Sequence, residues 1–221
     1  MKKILTALLL ASSSLFAFSA SADANHASQP LPADGQYVAG KHYQVITVPV
    51  HTANPDKIEV NEVFWYGCPH CNAFEPALEA WVKKLPEFVA FRRVPVQFRE
   101  EPFGTHQRIY FALEAMGQLE AMHRKVFAAI HNDRLKLDKP AEIQAFMSKN
   151  GLDGARFIEV MNSFGVQTKA RQAKQLAEAY KIDGVPALGI QGRFYTSGSL
   201  AGGQDKMLVV ADFLIQASRK G

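Results

Sequence analysis

Cys68 and Cys71 are the chain's only cysteines, and two residues separate them. A pair at that spacing can close a structural disulfide, bind a metal, or shuttle between dithiol and disulfide. As a staple it is weak: in the chain-entropy model a loop of about four residues stabilises by only roughly 2 kcal/mol, against about 3 kcal/mol for fifteen. A chain of 221 residues supports its own core without such help. Zinc usually takes four ligands at fixed spacing, and His26, His42, His51, His106, His123 and His131 show no matching pattern. Covalent haem attachment requires Cys-x-x-Cys-His, whereas Asn72 follows Cys71. A copper-handling thiol pair stays open as the metal alternative.

Redox exchange uses more of the surroundings. Cys68 falls at or just before the start of a helix, with its sulfur expected to be exposed. There the helix dipole and free backbone N–H groups stabilise a thiolate. Pro69 suits the first helical turn, where its missing N–H is not needed. His70 adds a positive charge or a hydrogen-bond donor beside the same sulfur. Favouring the thiolate favours the reduced state and makes the disulfide a stronger oxidant. Cys71, one helical turn in, is expected to be more shielded and to act as the resolving thiol. A substrate thiolate attacks Cys68 and expels Cys71, giving a mixed disulfide. A second substrate thiolate then displaces Cys68.

The elements that must hold this pair follow from periodicity. Tyr43 to Val50 is β-branched and strand-like, with Pro49 marking an edge or an end. Ile58 to Tyr66 reads as a buried strand broken by Gly67. The cysteine pair then opens a helical pattern to about Leu85, carried by Phe74, Leu78, Trp81, Val82 and Leu85. Phe88 to Phe98 is a third strand. From Thr105 to Phe164 apolar residues recur every three or four positions, which predicts a helical subdomain without strands. Val166 to Tyr180 is one more amphipathic helix. Ala187 to Ile190, a turn at Gln191-Gly192 and Arg193 to Thr196 form a hairpin, and a last helix carries Met207, Val210, Phe213 and Leu214. The pattern is a mixed α/β sheet interrupted once by helices.

Lys2 and Lys3, the apolar run Ile4 to Phe18 and Ala20-Ser21-Ala22 have the form of a cleavable signal peptide over residues 1–22, with cleavage after Ala22 or Ala24. The run is too short to span a membrane comfortably, so the mature protein is expected to be soluble and exported. Losing Lys2 and Lys3 leaves 23 basic against 21 acidic residues and lowers the net charge from +4 to +2. No basic tract of the nucleic-acid-binding kind is present.

Phe64-Trp-Tyr-Gly-Cys-Pro-His-Cys71, Lys84-Leu-Pro86, Asn162-Ser-Phe164 and a Val185-Pro186 pair opening the hairpin occur together. In this combination, from about Lys41 to Arg219, the chain resembles the DsbA family, periplasmic thiol:disulfide oxidoreductases of Gram-negative bacteria. The resemblance implies a thioredoxin fold in two parts, 41–104 and 165–221, split by a helical insertion domain over 105–164. It implies that Pro186 is cis beside Cys68 with Val185 before it, leaving backbone groups free to pair with a substrate strand. It matches Glu62 to the family's buried acid beneath the active site, a position that suits proton transfer. The family's partner lysine is not matched; Arg93 stands near that position, and arginine is a poor proton carrier. Arg92 and Arg93 are otherwise expected to be solvated or strand-end charges. His106 and His123 are expected on the surface of the insertion, and Trp81 in the core.

The expected activity is donation of the Cys68–Cys71 disulfide to newly exported, unfolded polypeptides. Reoxidation by a quinone-linked, DsbB-like membrane oxidase is implied, with no bound cofactor or metal and a monomeric state. The rivals are a disulfide isomerase or reductase, and a copper-delivery module. Isomerases of that compartment usually add a dimerisation domain, and the Cys-Pro-His-Cys spacer favours oxidation over the Cys-Gly-Pro-Cys type of reductant.

Overall fold

The computed structural model describes residues 36–219, Pro55 excepted; the expected signal peptide and its cleavage sites lie outside the described residues. Among the described residues five strands form one sheet in the order β1-β5-β4-β2-β3. β1 is Gln44–Val45, β2 Ile58–Phe64, β3 Val89–Pro95, β4 Ala187–Ile190 and β5 Phe194–Ser197. β2 and β3 run parallel with Glu62 opposite Arg93, while the other pairings are antiparallel. A parallel pair needs a crossover, and α1 (Pro69–Val82) supplies it.

All seven residues of β2 are buried, because strands flank it on both edges and helices cover both faces. Ile58 and Val60 pack with Phe74 and Leu78 of α1 and with Met207, Val210 and Leu214 of α8 (Gln204–Arg219). Val63 and Phe64 join a larger core. It draws on α2 (Phe103–Ala115), α3 (Leu119–His131), α4 (Pro140–Lys149), α5 (Gly154–Met161) and α6 (Phe164–Ala179). These five helices follow one another between β3 and β4. Helical geometry already begins at Phe103, two residues before the expected boundary, and α6 begins at Phe164 rather than after it. A short α7 (Gly198–Ala201), capped by the Ser197 side chain, was not visible in the apolar pattern.

The first strand is a correction. Only Gln44 and Val45 pair with β5, against the expected run from Tyr43 to Val50. Beyond them Ile46 N–H reaches Arg193 O and Val50 N–H reaches Gly192 O, so the segment follows the hairpin without forming a regular ladder. The hairpin itself turns at Gln191 and Gly192, with φ of 50° and 63°. Positive φ at both central residues is what a two-residue primed turn requires. A Cβ on Gly192 would lie 1.9 Å from Val50 O, so only glycine fits.

Tyr180 anchors this turn from below. Its buried hydroxyl accepts from Gly192 N–H at 2.8 Å and from Asn61 Nδ2 at 3.4 Å. Tyr180→Phe leaves the Gly192 N–H buried without a partner, and we expect a loss of about 1–3 kcal/mol in urea unfolding. A loss below about 0.5 kcal/mol would mean that the hairpin is held by its ladder alone.

Candidate active site

Trp65, Tyr66 and Gly67 lead from β2 into α1. Gly67 allows the chain to fold against Trp65, since a Cβ there would meet the indole ring at 2.3 Å. Cys68 N–H then bonds Trp65 O at 2.9 Å, and Cys68 itself is the N-cap of α1, with φ −87° and ψ 115°. Pro69 occupies the first helical position. The cap acceptor is the Cys68 sulfur, which receives the Cys71 N–H at 3.4 Å.

That geometry makes the two thiols unequal. The Cys71 thiol bonding to the Cys68 sulfur lowers the Cys68 pKa to about 6, with further help from the Cys71 and His70 backbone N–H groups and His70 charge, against the opposing effect of burial. Cys71 goes the other way: burial, then the Cys68 sulfur and the Glu62 carboxylate, push its thiol well up. Cys68 is nevertheless less exposed than expected, at 7%, with Cys71 at 0%. Its sulfur lies 3.5 Å from Val185 O, and the peptide joining Val185 to Pro186 is cis. The Val185–Pro186 loop thus brings Val185 against the sulfur.

Beneath the pair lies a buried ionic network. Glu62 is fully buried, and burial, reinforced by Glu75, raises its pKa well above the carboxylate range despite Arg93. Arg93 Nε stands 3.1 Å from Glu62 Oε2, yet neither Glu62 oxygen has a hydrogen-bond partner. The arginine's fork is instead turned to Glu75, at 2.8 Å from Nη2 and 3.4 Å from Nε. Burial pushes Glu75 up, but His123 and Arg93 outweigh it and hold its pKa below the usual value. His123 Nε2 is 3.2 Å from Glu75 Oε1, and its Nδ1 is 2.8 Å from the Tyr66 hydroxyl. An ionised Glu75 can only accept, so His123 donates from Nε2 and accepts the Tyr66 O–H at Nδ1. One neutral tautomer satisfies both bonds, in keeping with the lowered His123 pKa, which burial causes. His131 Nε2 completes the seam at 2.8 Å from Tyr66 O.

Comparison with known proteins shows what kind of molecule carries this site. A family model described as a DSBA-like thioredoxin domain matches residues 104–214. The thiol:disulfide interchange protein DsbA of Azotobacter vinelandii is 41% identical over 219 residues, covering 99% of both chains. The protein of that name from Pseudomonas aeruginosa is 38% identical, covering 99% of this chain and 98% of its own. The crystal structure of Pseudomonas aeruginosa DsbA superposes with a TM-score of 0.80 at 41% identity, covering 83% of this chain and 95% of that one. The chain belongs to the DsbA family. It is a thiol:disulfide oxidoreductase with a DsbA-like thioredoxin domain. DsbA of Xylella fastidiosa, at 28% identity, keeps a TM-score of 0.78 over 87% of this chain.

Within the DsbA-family frame several sequence expectations need correcting. His123 and His106, expected on the surface, are 5% and 3% exposed. Each sits on an apolar helix face whose partner across the fold could not be read from the helix alone. His106 bonds Lys136 O at 2.8 Å and lies in the stack that Trp65 forms with Phe103, whose ring centroids are 4.0 Å apart. Arg93 is not a solvated charge but spans Glu62 and Glu75. Arg92, by contrast, is exposed as expected, while its guanidinium pairs at 3.1 Å with buried Glu59. Trp81 is half-buried and donates to Asp212 Oδ1 at 2.9 Å. Glu75 went unremarked, although its place four residues after Cys71 and three before Leu78 puts a carboxylate on the inward face of α1. Among the described residues no group of three or more histidines, cysteines and acids could hold a metal ion.

His70 is exposed, and its charge is one of the influences lowering the Cys68 pKa. Replacing His70 with alanine removes the charge and keeps the backbone N–H. The Cys68 pKa should therefore rise, by less than about one unit given the other donors in place. The disulfide should become less oxidising in equilibrium with glutathione. An unchanged equilibrium would remove His70 from the account.

Proposed function

We propose that the chain acts as an oxidase, giving its Cys68–Cys71 disulfide to unfolded exported polypeptides that carry free thiols. The observation that supports this direction is the Cys68 sulfur accepting the Cys71 N–H at the capped end of α1, beside Val185 O. A thiolate held there stabilises the dithiol product, so the disulfide is readily given away. In the forward step a substrate thiolate attacks the Cys68 sulfur and Cys71 leaves. Cys71 departs into an apolar site that disfavours its anion, so it needs a proton. Glu62, buried and raised in pKa despite Arg93 at 3.1 Å, is the group suited to give it. A second substrate thiolate then attacks the substrate-side sulfur of the mixed disulfide, forming the substrate disulfide and releasing Cys68 as the stabilised thiolate. Pro69 fixes the first turn, while Val185 and Pro186 border the approach to Cys68.

The setting follows from the same reading. Residues 1–22 direct export to the periplasm, a DsbB-like membrane oxidase restores the disulfide, and the protein works as a monomer without cofactor or metal. Residues 105–164 act as an insertion domain between thioredoxin parts 41–104 and 165–221. The test mixes oxidised protein with a reduced, unfolded dithiol polypeptide and follows both disulfides by acid quench and thiol alkylation. Loss of one protein disulfide for each disulfide gained by the polypeptide is the expected result. A protein disulfide that stays intact while the polypeptide remains a dithiol would overturn the oxidase direction. Stoichiometric tight copper binding by the pair would favour a metal-delivery role instead.

A further inference from the structure

The carbonyl of His70 and the N–H of Cys71 are the two ends of one peptide group. The N–H end points at the Cys68 sulfur, 3.4 Å away. The carbonyl end accepts a hydrogen bond from Gln204 Nε2 at 2.8 Å, from a residue 134 positions along the chain. Gln204 is the first residue of α8, placed by Gly202 and Gly203 with φ of 80° and 146°. Trp81 Nε1 to Asp212 Oδ1, 2.9 Å, ties the far end of α1 to the same helix. The carboxamide is therefore presented to His70 O by a helix secured to α1 at two points.

An amide whose oxygen accepts a hydrogen bond is polarised along its length and becomes a better donor at nitrogen. We propose that Gln204 is a positioning residue for disulfide exchange, strengthening the Cys71 N–H bond to the Cys68 sulfur through the His70–Cys71 peptide. Gln204 touches neither sulfur and acts only through that peptide. The inference rests on Cys68 being the exchanging thiolate.

Gln204 is half-exposed at a helix start, where Gln204→Met keeps the side-chain length and leaves the fold intact. Cooperative strengthening of about 10–30% per bond, applied to a charge-assisted bond, corresponds to roughly a 1.4- to three-fold effect on the acid dissociation constant. The experiment titrates thiolate absorbance of the reduced protein for wild type, Gln204→Met, His70→Ala and the double variant. Gln204→Met should lower the Cys68 dissociation constant about 1.4- to three-fold in both His70 backgrounds. It should move the protein–glutathione equilibrium toward the protein disulfide by the same factor, and shift the Cys71 amide proton resonance upfield. An unchanged dissociation constant overturns the proposal. So does a change that vanishes with His70→Ala, since Gln204 would then act through the imidazole. If wild type itself shows no low-pKa thiol, it is the assignment of Cys68 that fails.

Discussion

Cys71→Ser should accumulate a stable mixed disulfide with substrate, while Cys68→Ser should form none, and both should lose all turnover. The two side chains are separated by one helical turn, but their surroundings are opposite. Cys68 caps α1, is drawn down to a pKa of about 6, and keeps the little exposure the pair has. Cys71 is fully buried and its thiol is pushed well up, so at neutral pH it stays protonated and inert toward an external disulfide. A reduced Cys71→Ser protein therefore attacks the disulfide of an oxidised model peptide through Cys68, releasing the peptide's other thiol. With no Cys71 thiol to resolve it, the adduct persists. In Cys68→Ser the remaining thiol lacks both access and ionisation. Mass spectrometry of the non-reduced reaction mixture reads the outcome. Equal trapping by the two variants would show that the asymmetry of the site is not functional.

The second large effect is expected at Arg93→Met. Arg93 stands 3.1 Å from Glu62 and 2.8 Å from Glu75, and both carboxylates are completely buried. Removing the only cation placed against both among the described residues leaves two acids facing each other in an apolar interior. Breaking a buried pair in this way costs about 3–5 kcal/mol. The pH dependence carries a sign. Arg93 lowers the pKa of both acids, so its loss raises both folded-state values. A group with a raised folded pKa contributes stability below its unfolded value and loses it as pH rises through the folded one. The penalty of Arg93→Met should thus be largest at neutral and higher pH and shrink toward the acid range. Chemical denaturation of the variant and wild type across pH 5 to 8 measures this. A loss under about 1 kcal/mol, equal at every pH, would mean that the network is not held by Arg93.

Much of this arrangement was legible before the structure. A near-continuous apolar run fixes β2 as an interior strand, and Cys-Pro-His-Cys after it locates the helix start. Legibility stops where a residue's meaning depends on a neighbour from a distant element. His123 looks like any polar residue on an amphipathic helix, because Glu75 and Tyr66, which make it a buried hub, come from α1 and the turn before it. Arg93 looks like a strand-end charge until β2 and β3 pair with Glu62 opposite it. Gln204 carries no local signal, since its role depends on a carbonyl in another helix. The overlong first strand has another cause: β-branched composition marks residues able to pair, while the partner offers only Tyr195 and Phe194 to Gln44 and Val45.

The central claim is that the folded site stabilises the Cys68 thiolate and so makes the Cys68–Cys71 disulfide oxidising. Equilibration with a glutathione buffer poised at about −200 mV, read by alkylation and mass spectrometry, tests it directly. A strong oxidant gives up its disulfide there, so the protein is expected mostly as the dithiol. A protein that stays mostly disulfide in that buffer, as thioredoxin with its potential of roughly −270 mV would, is a reductant and contradicts the account.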